Sequence, residues 1–207
     1  MRDAIISPDG TKIAFTYKGD IWTVPAVGGT ATRLTMTDHN YEASPVWSPD
    51  SRKIAFRSNR AGSFDIYVVG IEGGEPIRLT FDSGAETPEA FTPDGKSILY
   101  SAYVRPTAET AAFPSARLTQ LYSVPIEGGR QTLVSPTPVL YPTFSPTNSN
   151  LIYYQDIKGF EDQWRKHHTS SDTRDIWTLD LKTGKHTNIT ERGGEDRNPV
   201  ISPDGKT

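Results

Sequence analysis

Apolar residues along this chain come in short alternating runs, each set off by turn chemistry, and the pattern returns four times. "ISPDGTKIAF" (6–15) recurs as "WSPDSRKIAF" (47–56), "FTPDGKSILY" (91–100) and "FSPTNSNLIY" (144–153), and begins again as "ISPDGKT" (201–207). Six positions separate the Ser or Thr of each copy from the next apolar triplet: Ser7 to Ile13, Ser48 to Ile54, Thr92 to Ile98 and Ser145 to Leu151. A second block follows in every unit ("DIWTVPAVGG", "DIYVVGIEGG", "QLYSVPIEGG", "DIWTLDLKTG") and a third closes it ("ATRLT", "PIRLT", "QTLVS", "HTNIT"). Runs of four to eight residues rich in Ile, Val, Phe, Tyr and Trp, alternating with polar positions, predict half-buried strands. Pro-Asp-Gly and Gly-Gly between them supply preset φ, a self-bonding aspartate and tolerance of positive φ. Each unit therefore reads as a four-stranded antiparallel meander, its strands here lettered A to D: A ends at Ser7, B carries Ile13–Phe15, C starts at Ile21 and D ends at Thr35, with equivalents in the later units.

Four-stranded units repeating at this interval predict an all-β fold of β-propeller blades, because a single blade cannot bury both faces and must stack on a neighbour. The expected blades span approximately 4–35, 44–80, 87–135 and 141–190, with the start of a fifth at 198–207. Two aromatic or apolar stripes are expected to form the stacking layers: Trp22, Tyr67, Tyr122 and Trp177 on strand C, and Ile6, Trp47, Phe91, Phe144 and Ile201 at the end of strand A. Two outcomes stay open for the ring. The chain is part of a six- or seven-bladed propeller, or it closes as four blades; an open part would expose strand edges that favour self-association.

In a meander the A–B and C–D turns share one end of the blade, and the B–C and D–A loops share the other. The A–B and C–D turns read as constant in length, whereas the separations from B to C are 5, 9, 20 and 22 positions in successive units. The loop end thus gathers two long insertions, and loops on a rigid scaffold are where binding is usually placed. One insertion contains "GFEDQWRKHHTSSDTRDIW" (159–177), which combines histidines, serines, carboxylates and cations. No G-x-S-x-G elbow is present, and adjacent His167 and His168 point apart on a regular backbone, so a nucleophile triad is not supported. Glu161–Arg165 and Asp162–Lys166 fall at i,i+4 in the favourable order, predicting a short, self-neutralised helical turn. Candidate contacts for a peptide or partner are Arg165, Lys166, His167, His168 and Arg174 of this insertion. Glu195, Asp196 and Arg197 of the following D–A loop join them, either on a ligand or in salt bridges across the loops.

Bulk properties narrow the function further. A net charge of −3 and a pI near 5.8 provide no basic field, so nucleic acid is not expected as a partner. No cysteine is present, which removes disulfides, thiol nucleophiles and thiolate metal sites. No apolar run is long enough to span a membrane, and residues 1–10 do not form a signal segment. His39, His167, His168 and His186 lack the H-x-H or H-E-x-x-H spacing of metal sites, so no metal and no cofactor is expected.

The "SPDG-KIAF…DIW-V…GG…RLT" units resemble the TolB-like propeller repeat. "AFTYKGDIWTVPAVGGTATRLT", "KGFEDQWRKHHTSSDTRDIW" and "GGEDRNPVISPDG" are similar to the corresponding region of bacterial tricorn-like serine peptidases. The resemblance implies the noncatalytic propeller of an exported hydrolase, admitting or guiding peptides toward a catalytic domain outside this chain, so no catalytic residue is carried onto any position here. Two other functions remain open: a TolB-like module that binds a protein partner with no enzyme attached, and a metal-dependent propeller enzyme.

Overall fold

The computed structural model describes residues 1–37, 39–82, 84–103, 119–157, 173–190 and 194–207. Among the described residues sixteen strands form four four-stranded sheets, and no helix occurs. The first sheet is β1 (Arg2–Ile6), β2 (Lys12–Tyr17), β3 (Asp20–Pro25) and β4 (Thr32–Arg33); the second is β5 (Glu42–Trp47), β6 (Lys53–Ser58), β7 (Asp65–Gly70) and β8 (Ile77–Arg78). The third is β9 (Glu86–Phe91), β10 (Ser97–Ala102), β11 (Gln120–Pro125) and β12 (Thr132–Ser135). The fourth is β13 (Leu140–Phe144), β14 (Leu151–Gln155), β15 (Ile176–Asp180) and β16 (Lys185–Asn188). In every sheet spatial order follows chain order, so each is a simple up-and-down meander.

Chain contacts divide the molecule into two compact units, Met1–Pro114 with Tyr122–Thr132, and Ser115–Leu121 with Leu133–Thr207. In the first unit the side-chain alternation of β6 builds two layers. Ile54 and Phe56 face Ala14 and Ile21 of the first sheet, together with Trp47, Tyr67 and Val69. Ala55, one residue out of phase, lies in a second layer with Ile66, Leu79, Phe91, Ile98 and Tyr100. Period-two geometry thus lets one sheet feed two cores. Phe56 stacks on Tyr67 at 6.0 Å and Tyr100 on Tyr122 at 5.7 Å between ring centroids. Trp47 is buried against the first sheet, its Nε1 donating to the Ile5 carbonyl at 3.1 Å. Ile6 departs from the expected stripe: it is 58% exposed, because the A-strand position is covered by the preceding sheet and β1 has none in this chain.

The A–B turn is the same device in three sheets and again at 202–207. Ser7 Oγ donates to Asp9 Oδ1 at 2.6 Å, Asp9 accepts the Thr11 N–H at 2.9 Å, and the Lys12 N–H reaches back to Ser7 Oγ at 2.9 Å. Ser48–Asp50, Thr92–Asp94 and Ser202–Asp204 repeat the 2.6 Å bond. The hydroxyl first, then the backbone N–H, holds the carboxyls of Asp9, Asp50, Asp94 and Asp204 below the usual carboxylate range. Asp50→Ala is expected to cost about 1 kcal/mol at pH 7 for the lost local bonds, already discounted for exposure. Because the folded-state pKa is depressed, this contribution is present above the unfolded-state value and fades as pH falls through the folded one. Urea midpoints of the two proteins at pH 7 and pH 3 check it.

The fourth sheet corrects one expectation. Phe144 pairs with Ile152, where Ile6, Trp47 and Phe91 pair with Ile13, Ile54 and Ile98. Ser145 N–H correspondingly bonds the Leu151 carbonyl, one residue further on than Ser7 to Lys12. Ile152 is fully buried and Leu151 only partly so. The turn "SPTNSNL" (145–151) is one residue longer than "SPDGTK" (7–12), closed by Asn148 in place of Asp-Gly, with Asn150 N–H on Asn148 Oδ1 at 3.1 Å. The A–B turns are therefore not constant in length, and Tyr154, not Tyr153, occupies the Phe15 position. At the end of the chain, residues 198–201 form no strand; no B strand faces them here, although the Ser202–Asp204 turn is made.

Candidate functional site

The loop end of the first, second and fourth sheets is anchored by a buried polar system that the sequence blocks encode. Strand C opens there on an aspartate, and strand D closes on Arg-Leu-Thr in the first two and Asn-Ile-Thr in the fourth. In the first sheet Asp20 pairs with Arg33 at 2.8 Å; in the second Asp65 pairs with Arg78 at 3.0 Å. In the fourth the partner is Asn188, whose Nδ2 donates to Asp175 at 3.2 Å. The closing threonine then works in both directions: Thr35, Thr80 and Thr190 accept the N–H of Ile21, Ile66 and Ile176 at 3.0, 2.8 and 2.8 Å. Thr35 and Thr80 in turn donate to the carboxylates of Glu42 and Glu86, which open the next sheet's first strand. Both glutamates are fully buried.

The backbone repeats this clasp. The N–H of Glu42 bonds the carbonyl of Gly19, that of Glu86 bonds Phe64, and that of Asp196 bonds Arg174, in each case the residue just before the aspartate of strand C. Gly19 is required here: it sits at φ +85° and a Cβ would come within 3.2 Å of the Asn40 carbonyl oxygen. Asp196 thus stands where the earlier repeats place a structural glutamate, six residues before the Ser of the next turn.

Among the candidate residues, the structure brings together Arg174, Glu195 and Arg197. Arg197 binds Glu195 Oε1 through Nη2 at 2.5 Å and Nε at 2.7 Å, and Arg174 Nε lies 3.8 Å from the same oxygen. All three side chains remain partly exposed, at 19–33%. The Glu195 carboxylate thus sits between two guanidiniums on a wet, loop-borne surface, with Asp196 beside it in the chain. Arg165, Lys166, His167 and His168 lie outside the described residues, as do the Glu161–Arg165 and Asp162–Lys166 pairs. The base of their insertion is described and closed: Asp156 accepts the Asp175 N–H at 2.8 Å and the Trp177 indole N–H at 3.0 Å. Asp175 and Trp177 belong to this scaffold.

The described histidines divide. His186 on β16 meets the Tyr154 hydroxyl at 2.7 Å and the tyrosine ring edge-on, and burial lowers its pKa. His39 sits in the loop between β4 and β5 at φ +70°. No group of three or more metal-ligating side chains occurs among the described residues.

Reading the sequence alone missed the set Glu42, Arg60, Glu86, Arg78. Arg60 on the loop after β6 caps the Glu42 carboxylate, and Arg60 also lies 4.7 Å from the Tyr67 ring centroid. The signal was present in the repeat. An acidic residue stands six positions before Ser48, Thr92 and Ser202, and Val139 takes its place before Ser145. In the third unit Gln120 and Leu133 likewise replace the Asp and Arg of the first two sheets.

Four up-and-down sheets strung in sequence, with buried threonine–carboxylate clasps on the loop side, define a β-propeller protein of TolB-like blades. The chain matches the family "Tricorn protease N-terminal beta propeller domain" over residues 1–207 and belongs to it. It is 29% identical over 171 residues to tricorn protease homolog 1 of Streptomyces coelicolor, covering 82% of this chain and 15% of that protein. The fold superposes on TolB from Agrobacterium tumefaciens with a TM-score of 0.70 at 24% identity, over 98% of this chain and 70% of the other. On the tricorn protease itself the TM-score is 0.69 at 15% identity, over 98% and 23%. The chain therefore spans a minor part of the peptidase relatives it matches. No described helix is long and apolar enough to cross a membrane.

Proposed function

We propose that this domain is the noncatalytic propeller of an exported tricorn-like serine peptidase, and that its loop face binds peptides and guides them toward a catalytic domain carried elsewhere in the parent protein. The observation that supports this reading is the family match over residues 1–207, in a chain that covers only 15% of a tricorn protease homologue. The chemistry of the loop face agrees with it. Arg174 and Arg197 offer guanidiniums at a wet edge, where a peptide carboxylate is recognised bidentately. In this role Arg165, Lys166, His167, His168, Glu195 and Asp196 complete the recognition surface, and the open faces of the end blades meet further blades or a second copy. The test is peptide hydrolysis and peptide binding by this chain and by its full-length parent, with fractionation of the parent between cytoplasm and exterior. Hydrolysis by the parent alone, with binding by both, is the expected result; hydrolysis by the isolated chain would overturn the reading. Arg174→Ala/Arg197→Ala is expected to weaken binding of an acidic peptide by about tenfold, in line with the loss of a charge-assisted pair, without changing the urea midpoint.

A second reading is a protein-binding module without an attached enzyme. It is favoured by one comparison, the 70% share of the Agrobacterium TolB chain that this chain covers. Stable capture of one protein by a parent that hydrolyses no peptide would select it.

A further inference from the structure

The first-to-second and second-to-third sheet junctions follow one plan and are finished differently. At the first, Glu42 lies opposite Ser58 in the β5–β6 register, and two donors close its carboxylate: the Thr35 hydroxyl and the Arg60 guanidinium. Arg60 enters from the loop side. Its side chain keeps 18% exposure, its Nε donates to Ser58 Oγ at 3.1 Å, and its guanidinium lies over the Tyr67 ring of the Phe56–Tyr67 stack. The result is a slot for a flat cation, with a buried carboxylate at its end and an aromatic wall.

At the second junction the carboxylate and the wall recur. Glu86 is fully buried, one oxygen held by Thr80, and Tyr100 stacks on Tyr122 at 5.7 Å. The residue opposite Glu86 is Ala102 in place of Ser58, so the hydroxyl that steadies Arg60 is missing. Oε1 of Glu86 has no hydrogen-bond partner among the described residues. The described cation that acts on it, Arg78, is committed to Asp65 at 3.0 Å and lies over the Phe81 ring. In charge, the first junction sets Asp20 and Glu42 against Arg33 and Arg60. Among the described residues, the second sets Asp65 and Glu86, with Asp82 close by, against Arg78. A fully buried carboxylate oxygen left unpaired is costly unless a donor is supplied.

We propose that Glu86 and the Tyr100–Tyr122 pair form a binding site for a guanidinium group, that of an arginine side chain in a peptide ligand. This rests on the peptide-binding reading above and gives it a substrate preference. A guanidinium entering as Arg60 does next door donates an N–H to the orphaned Oε1 and lays its plane along the tyrosine ring, combining a charge-assisted bond with a cation–π contact. The competing source of the same chemistry is the chain itself: Arg105 follows Tyr100 by five positions, as Arg60 follows Phe56 by four.

The experiment is calorimetric titration of the 207-residue chain at pH 8 with acetyl-arginine amide, with an arginine-containing peptide and with its norleucine counterpart. Wild type, Glu86→Gln and Arg105→Ala are compared, with far-UV spectra confirming that all three are folded. Expected is binding of both arginine probes by wild type and Arg105→Ala, at least about tenfold weaker with Glu86→Gln, the size of one lost charged hydrogen bond, and no binding of the norleucine peptide. Binding seen only after Arg105→Ala would show that the chain fills its own slot and would overturn the ligand site. Equal binding by wild type and Glu86→Gln sinks the site but leaves peptide guiding intact. Binding of the amide without the peptide keeps the site and removes peptide guiding.

Discussion

Replacing Arg60 by leucine is expected to destabilise the domain by about 3 kcal/mol, because it leaves a buried carboxylate without its counter-charge. Glu42 is fully exposed to none of the solvent that would otherwise stabilise its charge, and its remaining donors are hydroxyls, Thr35 and, at 3.5 Å, Ser58. Leucine also removes the guanidinium from the Phe56–Tyr67 stack, a smaller loss of about 1 kcal/mol at a partly exposed site. The second half of the expectation is what makes it specific. Glu42→Gln in the Arg60→Leu background should recover most of the loss, since an amide keeps the acceptor for Thr35 without the buried charge. Urea unfolding of wild type, both single variants and the double variant closes the cycle. A double variant no more stable than Arg60→Leu would mean that the loop itself, and not the charge on Glu42, carries the effect.

The repeat explains why the fold was legible and the site less so. Alternation around "KIAF" and "DIW" fixes which side of each strand meets a neighbour, and Pro-Asp-Gly and Gly-Gly fix where the chain reverses, so meander and blade follow from local chemistry. The same locality misled at one point. "NLIY" matches "KIAF" as text, and only the pairing of Phe144 with Ile152 reveals the extra residue in the preceding turn. Ile6 misled differently: burial at this position comes from a neighbouring sheet and not from its own strand, and Ile6 is exposed. At the loop end, the residues that looked chemical were the dense cluster in 159–177, whereas the buried system is spread thinly over positions that repeat. Asp196 illustrates the gap. As a word, "GEDRNP" reads as surface charge; in the repeat register, Asp196 carries the backbone clasp to Arg174 that Glu42 and Glu86 carry to Gly19 and Phe64.

Stability of the domain is expected to fall between pH 5 and pH 8, with Glu86 one of two causes. Its pKa is pushed up to about 7 by burial first, against the Thr80 hydroxyl bond, with Asp65 and Asp82 adding to the rise and Arg78 opposing it. Tyr100, on β10, faces the same carboxyl, and its own pKa rises through burial and then Glu86. For an acid whose folded pKa lies above the unfolded value near 4.5, the folded state holds the extra proton between those two values. Stability is therefore full below pH 4.5 and declines as pH climbs through 7, by about 3 kcal/mol for a shift of this size, at 1.36 kcal/mol per pKa unit. Glu89, also raised to about 7 chiefly by desolvation, titrates in the same window, so the wild-type slope alone does not assign the effect. The difference between wild type and Glu86→Gln does. Glutamine keeps an acceptor for Thr80 and removes the charge, so the variant should match wild type at pH 5 and exceed it by about 2 kcal/mol at pH 8. Urea midpoints across this range read both slopes. A variant that gains nothing at pH 8 would mean that Glu86 is already neutralised there, by a cation occupying the slot beside Tyr100. Saturating wild type with acetyl-arginine amide should then leave its pH slope unchanged, whereas an empty slot predicts that the amide flattens it.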